Sequence, residues 1–192
     1  MSEQAAPHRP ENYYADADWA KYAQLRPHYP AEIFFLLSSY LDQYNPAKAG
    51  ARRAIDYGSG SGVIVRDLLE RCGVDQVLAT DLNANALEEG QRILGPELGE
   101  RYSTLAGRAG HLDPKDVPDE SFDLVVSAEA AHWFDQEEWI KEAHRILRPG
   151  GTLCAWFYPF PAYILDCPAA VYPLWRMWLC ARCSEEAKQR RR

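Results

Sequence analysis

Three glycines alternate with serines in the stretch AIDYGSGSG, where Gly58, Gly60 and Gly62 follow the short apolar run Ala54-Ile55 and the carboxylate of Asp56. A helix-like pattern comes next, with Val63, Ile64, Leu68 and Leu69 as its apolar positions. The order is strand, glycine turn, helix. Glycine has no Cβ and tolerates positive φ, so such a turn lets a ligand approach bare backbone. In an open α/β sheet, nucleotide-like cofactors bind here, beyond the carboxyl end of the first strand. A second strand-like run, Gln76-Val77-Leu78-Ala79-Thr80, ends at Asp81, roughly 20 residues past the glycines, where a carboxylate can accept both ribose hydroxyl protons.

The two carboxylates divide the candidate cofactors. NAD and S-adenosylmethionine both carry an adenosine ribose, so Asp81 does not discriminate between them. Asp56 does: a carboxylate ending the first strand repels a pyrophosphate and suits a cofactor bearing an α-amino group. The glycine spacing agrees, because the dinucleotide fingerprint is G-x-G-x-x-G and here Val63 fills the third glycine's slot. S-adenosylmethionine is the expected cofactor. An NAD(P)-dependent oxidoreductase is the weaker alternative.

These elements have to be carried by a scaffold. Strands are expected at 53 to 57, 76 to 80, 102 to 106, 123 to 128 and 151 to 157, with helices near 62 to 72, 84 to 94 and 136 to 147. Strands alternating with helices make a doubly wound α/β fold with a mostly parallel sheet. Residues 1 to 12 read as a disordered leader. Residues 13 to 45 read as an aromatic helical segment, with Ile33, Leu36, Leu37 and Leu41 at helical spacing and Pro30 at a first helical position. Residues 46 to 158 form the α/β core, and 159 to 192 a short aromatic tail in which 173 to 187 is expected to be an amphipathic helix.

Four stretches, AIDYGSGSG, VLATDLN (77 to 83), SFDLVVSAEAAHWFD (121 to 135) and EAHRILRPGGTLCAWFY (142 to 158), resemble class I S-adenosylmethionine-dependent methyltransferases in the same order. HWFD, Arg148-Pro149-Gly150-Gly151 and KYAQLRPHYP (21 to 30) are similar to the trans-aconitate methyltransferase-like subgroup of fungi and bacteria. The resemblance covers roughly residues 13 to 165. It implies a Rossmann-like sheet of order 3-2-1-4-5. Such folds continue with a β6-β7 hairpin, for which residues 159 to 192 give no signal. Strand five would then be an edge, covered either by the C-terminal segment or by a second copy of the chain in a homodimer, unless the chain is a truncated product of a longer gene.

The resemblance also implies roles. Gly58, Ser59 and Gly60 approach the methionine half through backbone amides, Asp56 anchors its amino group, Asp81 takes the ribose, and Leu82 lies beside the adenosine. After strand three, members commonly carry an acidic residue; in GRAGHL (107 to 112) Gly110 replaces it, leaving the Ala109 amide, Arg108 or His111 for the base. Ala128, Glu129 and His132 stand where the reactive end is expected. His132 is the candidate for proton transfer, its unperturbed pKa suiting that task; the competing reading has His132 and Trp133 packing the pocket floor. Tyr14, Trp19, Tyr22 and Arg26 suit a lid over a sulfonium, with Arg26 on the cofactor carboxylate; equally, they suit a helix docked by its aromatics.

Composition bounds the partners. With 47% hydrophobic and 26% charged residues, 192 residues build one core. A net charge of −7 disfavours nucleic acid or anionic membrane as partner. The polar N-terminal stretch has no apolar signal-peptide segment, and no run approaches the roughly 18 apolar residues of a membrane span, so a cytoplasmic location is expected. Cys180 and Cys183 form C-x-x-C without a second ligand pair, so no metal site is expected. The expected function is methylation of a small-molecule acceptor, at a carboxylate or hydroxyl oxygen. A repurposed, non-catalytic methyltransferase fold is the alternative.

Overall fold

The computed structural model describes residues 17–26, 28–45, 50–157 and 176–180. Two helices lead: α1 (Trp19–Leu25) and α2 (Ala31–Tyr44). Asp18 caps α1, its side chain accepting from the Lys21 amide at 2.9 Å. Pro30, expected as the first helical residue, is instead the N-cap of α2, one place before Ala31, and its extended ψ sets the entry. α2 buries Ile33, Phe34, Leu37 and Leu41. Leu36, expected inside, is exposed, and Phe34 takes the core position instead. The helical phase of 3.6 residues places 34 and 41 on one face with 37, and Leu36 off it. Full burial of a side chain such as Phe34 contributes about 1.5–3 kcal/mol.

The alternating core follows as β1 (Arg53–Tyr57), α3 (Val65–Arg71), β2 (Gln76–Asp81), α4 (Ala84–Leu98), β3 (Tyr102–Ala106), β4 (Phe122–Ala128), α5 (Gln136–Ile146) and β5 (Leu147–Phe157). β1 pairs in parallel with β2 and β4, β2 with β3, and β4 with β5, giving the expected order 3-2-1-4-5. β5 begins earlier than expected. Phe122 faces Leu147 but Leu124 already faces Thr152, so Arg148-Pro149-Gly150-Gly151 are taken up in an irregularity of the ladder.

Residues on alternate sides of the central strands fill two cores. Ala54, Val77, Leu124 and Val126 pack with Phe34, Leu37, Leu68 and Leu94 on the α2–α3–α4 side. Ile55, Tyr57, Phe122 and Val125 pack with Trp139, Ala143 and Ile146 on the α5 side. The sheet is thus doubly wound, and β1 and β4, buried along almost their whole length, are its spine.

A sixth strand, β6 (Arg176–Cys180), runs antiparallel beside β5, with Phe157 opposite Arg176 and Leu153 opposite Cys180. One expectation is corrected by it: positions 176 to 180 are strand rather than amphipathic helix. Of the covers expected for strand five, the C-terminal segment is the one found, so β5 is not an edge and its cover does not require a second copy of the chain. The physical reason is that the unpaired N–H and C=O groups along β5 are satisfied by a chain-internal strand. The remainder of 158–192, Cys183 included, lies outside the described residues, as do the 1–12 leader and Tyr14. Among the described residues no helix is long and apolar enough to cross a membrane.

Candidate cofactor site

The site is built where β1, β2 and β4 end together. Asp56 lies on the same face of β1 as Ala54, opposite to Ile55, and pairs with Ala79 and Val126 of the flanking strands. It is 1% exposed, and its Oδ1 is sealed from solvent with no hydrogen-bond partner among the described residues. Burial, reinforced by the Asp81 charge, holds its carboxyl well above the usual carboxylate range. An unsatisfied buried carboxylate oxygen costs free energy that a bound donor or cation recovers.

Asp81 ends β2 with both oxygens engaged: Oδ2 accepts from the Gly60 amide at 2.8 Å and Oδ1 from the Asn83 amide at 2.9 Å. Burial raises its pKa, opposed by these backbone donors. A carboxylate has about four lone-pair positions, so room for ribose hydroxyls remains. The N-cap of α4 is Asn83, whose side chain accepts from the Asn85 and Ala86 amides. Asp81 is therefore released from capping and ties the glycine turn to β2. Leu82 beside it is exposed.

The turn itself departs from expectation. The amides of Gly58 and Ser59 donate to the Thr80 carbonyl at 2.8 and 3.0 Å, and that of Gly60 goes to Asp81. The three amides are thus spent on tying β1 to β2, and what the turn offers a ligand is its lack of side chains. Its glycines serve different ends. A Cβ on Gly58 would stand 2.3 Å from the Ala130 Cβ, so this glycine admits the loop after β4. A Cβ on Gly60 would meet only the Trp19 ring, at 3.6 Å, so α1 stands over an otherwise open turn. From that helix Tyr22 makes an edge contact with Trp19, and Arg26 lies over the Tyr22 ring while donating to the Tyr29 hydroxyl.

In the loop after β3, Gly110 has φ +90°, and a Cβ there would come within 3.0 Å of the Glu138 and Trp139 backbone. No carboxylate side chain fits at this position. The loop is held instead by Glu142 of α5, whose Oε2 accepts from the Gly110 amide and the Tyr57 hydroxyl and whose Oε1 accepts from the Leu112 amide. Burial and the Glu142 charge push the Tyr57 hydroxyl's pKa up. Ala109 is nearly buried within this loop. Glu142 carried no signal in the sequence beyond an acidic residue on the inner face of a helix.

After β4, Ala128 is half-buried and Glu129 takes φ +58°, a conformation costing a non-glycine residue of order 1–3 kcal/mol. The Glu129 amide donates to the Trp156 carbonyl at 2.8 Å, which fixes the turn against β5. Its Oε1 is sealed from solvent without a partner among the described residues. Burial pushes its carboxyl up to about 7, against the opposing pull of Arg26. His132 and Trp133, in a short 3-10 turn, are exposed, with ring centroids 5.2 Å apart. They do not form a packed floor; Phe134, against Tyr57 and Trp139, does. Among the described residues no cluster of three or more His, Cys, Asp or Glu could hold a metal, and Cys72 and Cys154 are buried free thiols.

A group with a cationic or donor end, a ribose and an apolar-faced base suits this set of residues. The family described as a methyltransferase domain matches residues 55–155. Methyltransferase ptaI of Pestalotiopsis fici is 30% identical over 162 residues, covering 82% of this chain and 47% of that protein. An uncharacterised methyltransferase of Mycobacterium tuberculosis is 36% identical over 132 residues, 69% of this chain and 46% of that one. Among solved structures, phosphoethanolamine N-methyltransferase 2 of Haemonchus contortus in complex with S-adenosyl-L-methionine superposes with a TM-score of 0.53 at 26% identity, over 68% of this chain and 30% of that chain. The YcgJ protein of Bacillus subtilis shares the fold, with a TM-score of 0.53 at 22% identity over 64% of this chain and 50% of its own. The chain spans about half the length of the curated relatives it matches.

Proposed function

This chain belongs to the class I S-adenosylmethionine-dependent methyltransferases, and from that membership we propose that it moves a methyl group to an oxygen, carboxylate or hydroxyl, of a small organic acid or secondary metabolite. The observation that carries the reading is the solitary Oδ1 of Asp56 at the end of β1. An α-ammonium supplies the donor this oxygen lacks, whereas a pyrophosphate would meet a buried carboxylate. Asp81 takes the ribose hydroxyls on its remaining lone pairs. Leu82 covers a face of the adenosine, Ala109 borders the base, and Gly58, Ser59, Gly60 and Ala128 line the approach to the methionine half.

S-adenosylmethionine, when bound, supplies a methyl carbon already activated by a sulfonium. The chain's own residues align the acceptor and exclude water. α1 is placed for this as a lid, with Trp19 and Tyr22 as aromatic faces for a cation and Arg26 as a partner for a carboxylate.

Calorimetric titration of the purified chain with S-adenosylmethionine, S-adenosylhomocysteine and NAD tests this. Saturable binding of the first two without NAD is the expected result; binding of NAD alone would overturn it. A second reading, a fold that binds the cofactor without transferring methyl, draws support from the internally bonded turn amides. Cofactor binding with no transfer to any of a panel of acids and phenols would select it.

A further inference from the structure

We propose that Glu129 is the general base of this site and that the acceptor is a neutral hydroxyl rather than a carboxylate; the proposal rests on the methyltransferase reading above. Three features of Glu129 point the same way. Its backbone is held in the left-handed region at the end of β4, beside the loop that Gly58 admits, so the side chain is aimed by the fold rather than left to choose. One carboxylate oxygen is sealed and meets no donor among the described residues. The charge that acts on it is Arg26, which reaches over from the end of α1 and is itself held by Tyr29 and Tyr22.

A buried carboxylate oxygen without a donor is satisfied by an O–H and repels a second carboxylate. Asp56 already offers the cofactor's ammonium a partner one strand away, which leaves Glu129 for the acceptor. Its carboxyl, lifted by burial toward neutrality, is matched to accepting a proton at physiological pH. In the reaction the acceptor oxygen forms the new O–CH3 bond, its proton passes to the Glu129 carboxylate, and the electron pair of the broken S–CH3 bond stays on sulfur. His132, exposed and tilted against the Trp133 ring, is not needed for this transfer.

The test compares the wild-type chain with Glu129→Gln. The affinity for S-adenosylhomocysteine, measured by calorimetry, is expected to be unchanged. 4-Nitrophenol is then bound to the S-adenosylhomocysteine-loaded protein and its ionisation followed by phenolate absorbance. A carboxylate partner raises the apparent pKa of the bound phenol by about one unit, and the Gln variant returns it toward its free value. With S-adenosylmethionine, kcat for catechol, protonated at neutral pH, is expected to fall about 100-fold. Transfer to 4-nitrophenol at a pH above its raised bound pKa, where no proton has to be removed, is not expected to fall in the variant. Equal losses on both phenols, an unshifted bound phenol, or a loss of S-adenosylhomocysteine affinity in the variant would each overturn the assignment. So would a wild-type chain that binds S-adenosylhomocysteine yet neither binds nor methylates a phenol, and that result would leave the methyltransferase reading standing. Failure to bind S-adenosylhomocysteine at all would sink that reading instead, and this one with it.

Discussion

Asp56 and Glu129 both keep a sealed carboxylate oxygen without a partner among the described residues, and such an oxygen costs free energy. For Asp56 the sign is opposite to that of a salt-bridged carboxylate. Its folded pKa is raised, so the native state binds more protons than the unfolded state between about 4 and the folded value. Stability from this group is therefore lost as pH rises through that window. Asp56→Asn removes the titrating charge, so the ligand-free variant is expected to have a higher Tm than wild type at pH 7, with the advantage vanishing toward pH 4. The same variant is expected to lose S-adenosylmethionine binding. A lower Tm at pH 7 would show that the carboxylate is satisfied by the fold itself. Asp56 and Asp81 were legible in the sequence because each closes an apolar run, and strand alternation dictates where such residues point. Glu129 was legible only in place. What distinguishes it from His132, the φ of +58° and the sealed oxygen, depends on how the loop after β4 packs on β1 and β5.

At the scale of elements, the strand–turn–helix order placed the turn correctly, but not the use to which its amides are put. The amides of Gly58 and Ser59 bond Thr80, a long-range consequence of the β1–β2 register that glycine spacing does not encode. The glycines are also unequal. Gly58→Ala would place a Cβ 2.3 Å from Ala130 at φ +68° and is expected to destabilise the fold by about 2–4 kcal/mol. Gly60→Ala meets only the Trp19 ring, at 3.6 Å, and is expected to cost about 1–2 kcal/mol, the left-handed penalty alone. On the proposed approach of the methionine half over this turn, Gly60→Ala is expected to weaken S-adenosylhomocysteine binding more than it weakens the fold. Urea denaturation and calorimetry on both variants check the pair; equal destabilisation would contradict the packing described here. Glu142 shows the same limit on reading ahead. Its three hydrogen bonds come from β1 and from the loop after β3, far apart in sequence and joined only when α5 docks.

Over the whole molecule, the parallel sheet followed from the alternating elements and its order 3-2-1-4-5 from the resemblance that the motifs carry, whereas β6 followed from neither. In Arg-Met-Trp-Leu-Cys four apolar residues follow an arginine with no strict alternation, and such short runs do not separate strand from helix by periodicity. What decides it is the open side of β5, a property of the assembled sheet. The sheet also joins the site's parts into one thermodynamic unit: Asp56 and Asp81 sit on adjacent strands and Glu129 follows a third, so a ligand spanning them binds only the folded chain. At 100 times its Kd such a ligand stabilises by about 2.7 kcal/mol. For a domain of this size that corresponds to a rise in Tm of roughly 5–10 °C. S-adenosylhomocysteine is expected to give this shift and NAD none. With the ammonium on ionised Asp56, as proposed, the shift is expected to shrink as pH falls below that group's raised pKa. A differential scanning calorimetry series across pH checks both statements. A shift independent of pH would place the ammonium elsewhere, and an equal shift with NAD would remove Asp56 as the residue that selects the cofactor.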